Sequence, residues 1–287
     1  MKKLLIQLET DTYPATFDTV VAYDGGADHV LAYGGLTLDG VGPLVEGAIF
    51  TRAPKDKKNT AIFIGGSNVA AGEALLNAVK KKFFSDFRVS VMLDSNGSNT
   101  TAAAAVAKLL TSGELAGKRA VVLAGTGPVG QRAAVMLARE GASEVRITSR
   151  RLESAERACR DIQVRFGVTA VVPVEADSHD ARAQVIQDAQ IVIAAGATGV
   201  ELLEARHWQD NPNIELIADA NATPPLGIGG IDMLDRGVER HGKIVWGALG
   251  FGALKLALQR ACVAKLFETN KLVLDAEEVF AIAKEMA

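Results

Sequence analysis

Three glycines, Gly125, Gly127 and Gly130, stand at the spacing G-x-G-x-x-G in the stretch Gly125-Thr126-Gly127-Pro128-Val129-Gly130. The stretch follows an apolar run from Arg119 to Ala124 and precedes a helical pattern from Val129 to Glu140. In that strand-turn-helix setting Gly125 turns the chain tightly, Gly127 lets the main chain approach a diphosphate, and Gly130 allows the helix to pack closely on the strand. Pro128 suits the first helical turn, where its missing N–H breaks no helical bond. The remaining N–H groups and the helix dipole favour an anion there. The spacing therefore predicts a dinucleotide site built from Gly125, Thr126, Gly127, Pro128, Val129 and Gly130.

Which dinucleotide it takes depends on the end of the next strand. An Asp or Glu there would accept hydrogen bonds from the adenosine ribose of NAD. The chain instead reads Thr148-Ser149-Arg150-Arg151. Guanidinium groups pair well with phosphate, so Arg150 and Arg151, with Ser149 as a further donor, point to the 2′-phosphate of NADP. A cationic site does not exclude a ribose hydroxyl, so NAD stays open beside NADP. In an open parallel sheet the ligand lies beyond the carboxyl ends of the strands. Two later loops qualify to line the nicotinamide: one through Ala195, Gly196 and Ala197, and one through Asp219 and Asn221 toward Gly229.

These loops need a sheet to hold them. The 287 residues are about twice the common domain size. Hydrophobic residues make up 48% and charged residues 23%, which excludes disorder, collagen-like repeats and coiled coil. The first hundred residues show short β-rich runs at Leu4 to Ile6, Val20 to Tyr23, Ala61 to Ile64 and Val89 to Leu93, with a helix from Val69 to Phe84. Thr51 to Asn59, rich in Lys and Arg, reads as an exposed loop. An alanine-rich helix from Thr100 to Leu110 ends at Thr111-Ser112-Gly113, which marks a boundary. Beyond it come strand, helix and strand in alternation: helix Leu152 to Phe166, strand Val168 to Val172, helix Asp180 to Asp188, strand Ile191 to Ala194 and strand Ile214 to Ala218. The expected fold is α/β: a first α/β domain over 1–112, a Rossmann-type doubly wound parallel sheet over 113–251, and C-terminal helices over 252–287 that return to the first domain.

Composition narrows the partners. With 31 basic and 34 acidic residues the formal charge is −3, so no positive field draws a polynucleotide. No apolar stretch approaches a membrane span, and the N-terminal apolar run is too short for a secretory signal. Cys159 and Cys262 lack metal-ligand spacing and read as packed thiols. The chain reads as a cytoplasmic protein with no metal, no nucleic acid and no membrane partner.

Five stretches taken together resemble the bacterial methylene-tetrahydromethanopterin dehydrogenases of methylotroph one-carbon metabolism. They are Tyr23-Asp-Gly-Gly-Ala-Asp-His29, Asp94-Ser-Asn-Gly-Ser-Asn-Thr-Thr101, Ala124-Gly-Thr-Gly-Pro-Val-Gly130, Pro224-Pro-Leu-Gly-Ile-Gly-Gly-Ile-Asp232 and Gly247-Ala-Leu-Gly250. Only the third is shared with nucleotide-binding proteins at large. The resemblance implies a two-domain subunit with a cleft between the domains, self-association into a small homo-oligomer, and oxidation of methylene-tetrahydromethanopterin to the methenyl form with NADP or NAD as acceptor. Some members are NADP-specific and also take methylene-tetrahydrofolate; others use both nicotinamides. Ser149-Arg150-Arg151 stands where the NADP-specific members carry Gly-Arg-Lys, so Arg150 is the matched position.

The implied chemistry asks little of acid–base groups. The methylene carbon lies between two nitrogens, and loss of hydride leaves an amidinium-like cation with no proton to move. The protein must position two large rings and favour the developing positive charge. Candidate pterin contacts are Asp18, Asp24, Asp28, His29, Asn96 and Asn99, which offer the donors and acceptors a pterin edge needs. Asp94 and Lys255 are the candidate catalytic residues, Lys255 as a group that orients or polarises the pterin. Structural roles compete: Asp24 in a turn, Asp94 and Asn99 as helix caps. A different NADP-linked dehydrogenase of a small hydroxy acid, or a non-catalytic NADP sensor, also fits the nucleotide motif alone.

Overall fold

The computed structural model describes all 287 residues. In chain order the first elements are β1 Leu4–Glu9, α1 Thr16–Asp24, β2 His29–Tyr33, α2 Val41–Phe50, β3 Thr60–Gly65, α3 Val69–Lys81, β4 Ser90–Leu93 and α4 Ser98–Ser112. They are followed by β5 Arg119–Leu123, α5 Pro128–Arg139, β6 Glu144–Ser149, α6 Leu152–Phe166, β7 Val171–Glu175, α7 His179–Val185, β8 Ile191–Ala194 and β9 Leu216–Asp219. The chain ends with β10 Arg236–Arg240, β11 Lys243–Trp246, α8 Ala248–Leu266, β12 Val273–Leu274 and α9 Ala276–Met286. Two compact units result, one of Met1–Thr100 with Leu256–Met286 and one of Thr101–Lys255, so the division falls inside α4 and α8. No helix is long and apolar enough to cross a membrane.

The first unit is built on a five-stranded sheet in the order β12-β4-β3-β1-β2, with every pairing parallel. All six residues of β3 are buried, as expected for a strand covered on both faces. The pairings Glu9↔Gly65 and Ile64↔Leu93 place the carboxyl ends of β1, β3 and β4 side by side. The core joins Leu8, Val45, Ile62, Leu75, Val79 and Val91. Asn68 caps α3 by accepting the Ala71 amide at 3.0 Å, and Lys80 and Lys81 sit at its negative end.

Two local expectations fail here. Val20 to Tyr23 belongs to α1, not to a strand: Val21 and Ala22 face the core while Val20 and Tyr23 stay exposed, a helical alternation that β-branched residues had masked. Thr51 to Asn59 is not wholly an exposed loop. Pro54–Asn59 forms a 3₁₀ turn whose Lys57 is fully buried, its Nζ 3.5 Å from the centroid of Phe87 and bonded to the Asp86 carbonyl.

The second unit carries a seven-stranded sheet in the order β10-β11-β9-β8-β5-β6-β7, parallel except for the β10–β11 hairpin at one edge. The chain starts at β5 and runs outward through β6 and β7, then returns to β8 on the other side. This reversal at β5 is the switch point at which doubly wound sheets bind ligands. Val121, Leu123, Val192, Ile217 and the fully buried Trp208 share one core.

Candidate functional site

At the switch point the chain leaves β5 through Ala124, whose φ of +49° is unusual for a residue with a Cβ. Two bonds hold it there: Thr148 Oγ1 accepts the Ala124 amide at 2.9 Å, and the Thr148 carbonyl accepts the Gly125 amide at 3.1 Å. The three glycines then divide their duties. A Cβ on Gly130 would lie 2.5 Å from Gly125 Cα, and one on Gly125 would lie 2.9 Å from the Val122 carbonyl oxygen, so these two permit the turn and the approach of α5. A Cβ on Gly127 would meet nothing within 4 Å, and its φ of −77° suits any residue. The fold itself does not require glycine at 127. A ligand brought against the main chain at the start of α5 would require it, and Pro128 at the first helical position leaves the following N–H groups available to an anion. The residues therefore fit a dinucleotide diphosphate.

Beside this loop lies a cavity of about 620 Å³, lined by Ala124, Thr126, Thr148, Ser149, Arg150, Arg151, Ser154, Ala176, Arg182, Ala197, Val200 and Leu202. Its volume is that of a small-ligand site. Ser149, at the end of β6, and the exposed Arg150 and Arg151 bring donors to one wall. The Arg151 amide donates to Ser149 Oγ at 3.4 Å. No carboxylate lines this cavity. Of the residues expected at the cofactor, Thr126, Ser149, Arg150, Arg151 and Ala197 line it together.

Asp219, Asn221 and Gly229 stand elsewhere in the same unit. Asp219 is fully buried at the end of β9, and its oxygens accept the amides of Asn221 and Ile228, each at 2.9 Å. Burial pushes its carboxyl up to about 6 against the lowering effect of those backbone amides. Asn221 Nδ2 donates to the Ala197 and Pro225 carbonyls at 3.5 and 3.3 Å, joining the loops after β8 and β9. Gly229 bonds to the Leu203 carbonyl and receives Trp208 Nε1 on its own carbonyl at 2.9 Å, a core contact. Gly196 packs against Leu202, whose Cδ1 a Cβ would meet at 2.9 Å, and the Ala195 amide bonds to the Leu123 carbonyl.

In the first unit the parallel sheet sorts the expected substrate residues to two opposite edges. Asp94 and Asn96 follow the carboxyl end of β4, and Asp18 sits in the first turn of α1, just after β1. Asp94 is fully buried and occupied: its oxygens accept the Asn99 and Thr100 amides and Thr100 Oγ1, the last at 2.6 Å, so it caps α4. Asn99 is buried too and donates to the Leu93 carbonyl and Asp275. Asn96 differs from both, being exposed with φ +56° while its amide is fixed to the Gly66 carbonyl at 2.8 Å. Asp18 Oδ1 accepts from the buried Gln259 at 2.7 Å. Asp24, at the far end of α1, pairs with Arg260 at 3.1 Å, Asp28 accepts the Lys3 amide, and His29 opens β2 beside Lys2. These three therefore lie at the amino edge of the sheet, away from Asn96. Lys255 is half-buried on α8.

Residues 16–96 match the family model described as methylene-tetrahydromethanopterin dehydrogenase, N-terminal. Over its full length the chain is 55% identical to the bifunctional protein MdtA of Methylorubrum extorquens, covering 99% of that protein. It is 34% identical, again over 100% of the chain and 99% of the relative, to the NAD(P)-dependent methylenetetrahydromethanopterin dehydrogenase of the same organism. The chain belongs to the methylene-tetrahydromethanopterin dehydrogenase family. Solved structures that share its fold include shikimate 5-dehydrogenase from Listeria monocytogenes with shikimate and NAD (TM-score 0.56, 15% identity, 100% of this chain and 96% of that one). Another is quinate dehydrogenase from Corynebacterium glutamicum with NAD (TM-score 0.53, 13% identity, 98% of each chain). At such identities they speak for the fold alone.

Two features of this family member escape sequence reasoning. Arg182 on α7 reaches the cavity wall although it is remote in sequence from Arg150. Its signal was a cation on the same helical face as the buried Ile186, four residues on. Glu9 ends β1 fully buried; its Oε1 accepts from Gln7 at 2.7 Å and its Oε2 has no partner. Burial raises its pKa against the opposing effect of the Gln7 side chain and the Ala15 main chain, with the charge of Asp11 adding to the rise.

Proposed function

We propose that this chain oxidises methylene-tetrahydromethanopterin to the methenyl form by hydride transfer to a nicotinamide dinucleotide, with NADP preferred and NAD accepted. The observation that carries the reading is a G-x-G-x-x-G loop opening onto an arginine-walled cavity in a chain of this family. When bound, the nicotinamide supplies the carbon that accepts the hydride. The main chain at Gly127 and the start of α5 hold the diphosphate, and Ser149, Arg150 and Arg151 hold the 2′-phosphate. Asp219 and Asn221 act at one remove by fixing the loops after β8 and β9.

On the pterin side the carboxyl edge of the first sheet supports contacts from Asn96 and Asp18. Asn96 is exposed and its main chain is fixed by the Gly66 carbonyl, so its carboxamide projects from a set point of the turn and offers a donor and an acceptor to a pterin edge. The Asp18 carboxylate favours the positive charge that hydride loss spreads over the two nitrogens. Asp94 positions the Asn96 turn from behind. No residue has to remove a proton, so Lys255 is assigned to orienting the substrate rather than to base catalysis.

The test is reduction of NADP and of NAD, side by side, by purified protein given methylene-tetrahydromethanopterin and then methylene-tetrahydrofolate. Turnover with the methanopterin carrier supports the assignment, and the cofactor ratio reports on the arginine wall. Dinucleotide binding without turnover on either carrier would sink it.

A further inference from the structure

We propose that Arg182 is a specificity-determining residue, the third and best-fixed cation of the pocket that takes the 2′-phosphate of NADP. The inference rests on the reading of the cavity as the cofactor's ribose end, and adds to it a residue from a different element. Arg150 and Arg151 come from the turn between β6 and α6; Arg182 comes from α7 and lines the same cavity.

Its surroundings explain why an anion belongs there. The side chain is only 8% exposed. One terminal nitrogen donates to the Leu202 carbonyl at 3.2 Å and the other to the Asp177 carbonyl at 3.3 Å. A guanidinium has five N–H donors in a fixed fork, so these two bonds leave donors for a ligand. No carboxylate stands within ion-pair distance; the charge of Asp177 helps from farther off, while that of Arg150 opposes. Burial and the like charge both disfavour this cation, and its pKa is lowered accordingly. A dianion placed between Arg150 and Arg182 relieves that repulsion and uses the remaining donors.

The two carbonyl bonds also set Arg182 apart from its neighbours. Arg150 and Arg151 are exposed and must give up side-chain freedom on binding. Arg182 is held beforehand. A ribose hydroxyl gains little from a fixed guanidinium compared with a phosphate, so Arg182 acts on the difference between NADP and NAD.

The probes are adenosine 2′,5′-bisphosphate and 5′-AMP, which share base, ribose and 5′-phosphate and differ only in the 2′-phosphate. Their affinities are measured by calorimetry on the full chain, with no turnover involved. For Arg182→Gln the expected result is a loss of about 10- to 100-fold for the bisphosphate, the range of charge-assisted hydrogen bonds, with less than about a twofold change for 5′-AMP. Arg182→Lys keeps the charge without the fork, should fold where the Gln variant does not, and should fall between wild type and Gln for the bisphosphate. Equal weakening of both probes by the Lys variant would mean that Arg182 only braces Leu202 and Asp177, and would overturn the proposal. Unchanged affinity for both probes overturns it as well. If the wild-type protein itself shows no preference for the bisphosphate, the cavity is not the ribose-phosphate pocket, and the failure then lies in that underlying reading.

Discussion

The carboxylate of Asp219 accepts the amide of Ile228, nine residues further along the chain, at 2.9 Å, while its other oxygen accepts the Asn221 amide at the same distance. One buried group thus ties Asn221 and Ile228 of the loop after β9 together, and Gly227 is glycine because a Cβ there would lie 2.8 Å from Asp219 Oδ1. Asp219→Asn offers one acceptor for two amides, and its NH₂ group faces the other. The expected cost is about 1–3 kcal/mol of stability for the unsatisfied amide. If this loop lines the nicotinamide end that NADP and NAD share, as proposed, KM should rise for both together. Urea unfolding and paired cofactor kinetics check this.

The same carboxyl gives a pH dependence. Burial raises it from 3.8 to about 6, so the folded protein binds this proton more tightly than the unfolded chain. Its contribution to stability is full below about pH 3.8 and is lost as pH rises through about 6, on the order of 3 kcal/mol in all. Between pH 5 and pH 8 the wild-type protein should therefore lose stability relative to Asp219→Asn, which has no titrating group at this position. A difference between the two that is independent of pH would show that the proton is not held there.

Two glycine substitutions separate folding from binding. Gly130→Ala drives a Cβ into Gly125 and should lower stability by about 1–3 kcal/mol, as overpacking does. Gly127→Ala meets open space and should melt within a few degrees of wild type, yet bind NADP at least about tenfold more weakly, because its methyl would stand where the proposed site brings the diphosphate against the main chain. Thermal unfolding and dinucleotide titration give both readouts. Normal binding by Gly127→Ala would leave that glycine without a role.

This glycine loop was legible in the sequence because local spacing encodes it: turn, approach and helix start occur within six residues. Elements with continuous apolar runs, such as β3 and β8, were legible for the same reason. Val20 to Tyr23 was not, since two adjacent valines look the same in a half-buried helix as in a strand. The edge strands β2 and β10, whose residues are mostly exposed, carry little apolar signal. Arg182 and Arg150 meet only because the sheet order returns the chain across β5, a fact of topology that no local pattern states. The same is true of the two edges of the first sheet, which part His29 and Asp24 from Asn96.

Arg150→Ala should raise KM for NADP by about 10- to 100-fold, the range of a lost charge-assisted contact, and KM for NAD far less. The exposed position of Arg150 predicts no change in melting temperature. Equal effects on the two cofactors would remove the phosphate assignment.

Substitutions at the two edges of the first sheet should differ in effect. Asn96→Gly tolerates the positive φ and removes the exposed side chain with its amide group, so the fold should stand while KM for methylene-tetrahydromethanopterin rises by about tenfold. His29→Ala, at the other edge, should leave that KM within about twofold, as expected for a surface residue away from the substrate. Steady-state kinetics at saturating NADP decides it: a large effect of His29→Ala with none for Asn96→Gly reverses the assignment of edges.

Glu9 offers a stability test in the first unit. It is fully buried, with Gln7 donating to one oxygen and the Ala15 main chain favouring its anion more weakly, and Gly65 is glycine because a Cβ would lie 2.5 Å from Glu9 Oε1. Burial raises its pKa, so the folded state prefers the protonated acid. The stability this lends is present below the ordinary carboxyl range and is lost as pH rises through the raised value. Glu9→Gln keeps the volume and the acceptor for Gln7 and carries no charge to bury. Its stability relative to wild type should therefore improve steadily from acid to alkaline pH, becoming a gain where wild-type Glu9 must ionise. Chemical denaturation across that range measures it. A variant that instead loses ground as pH rises would mean that the Glu9 carboxylate is stabilised as an anion in the folded protein.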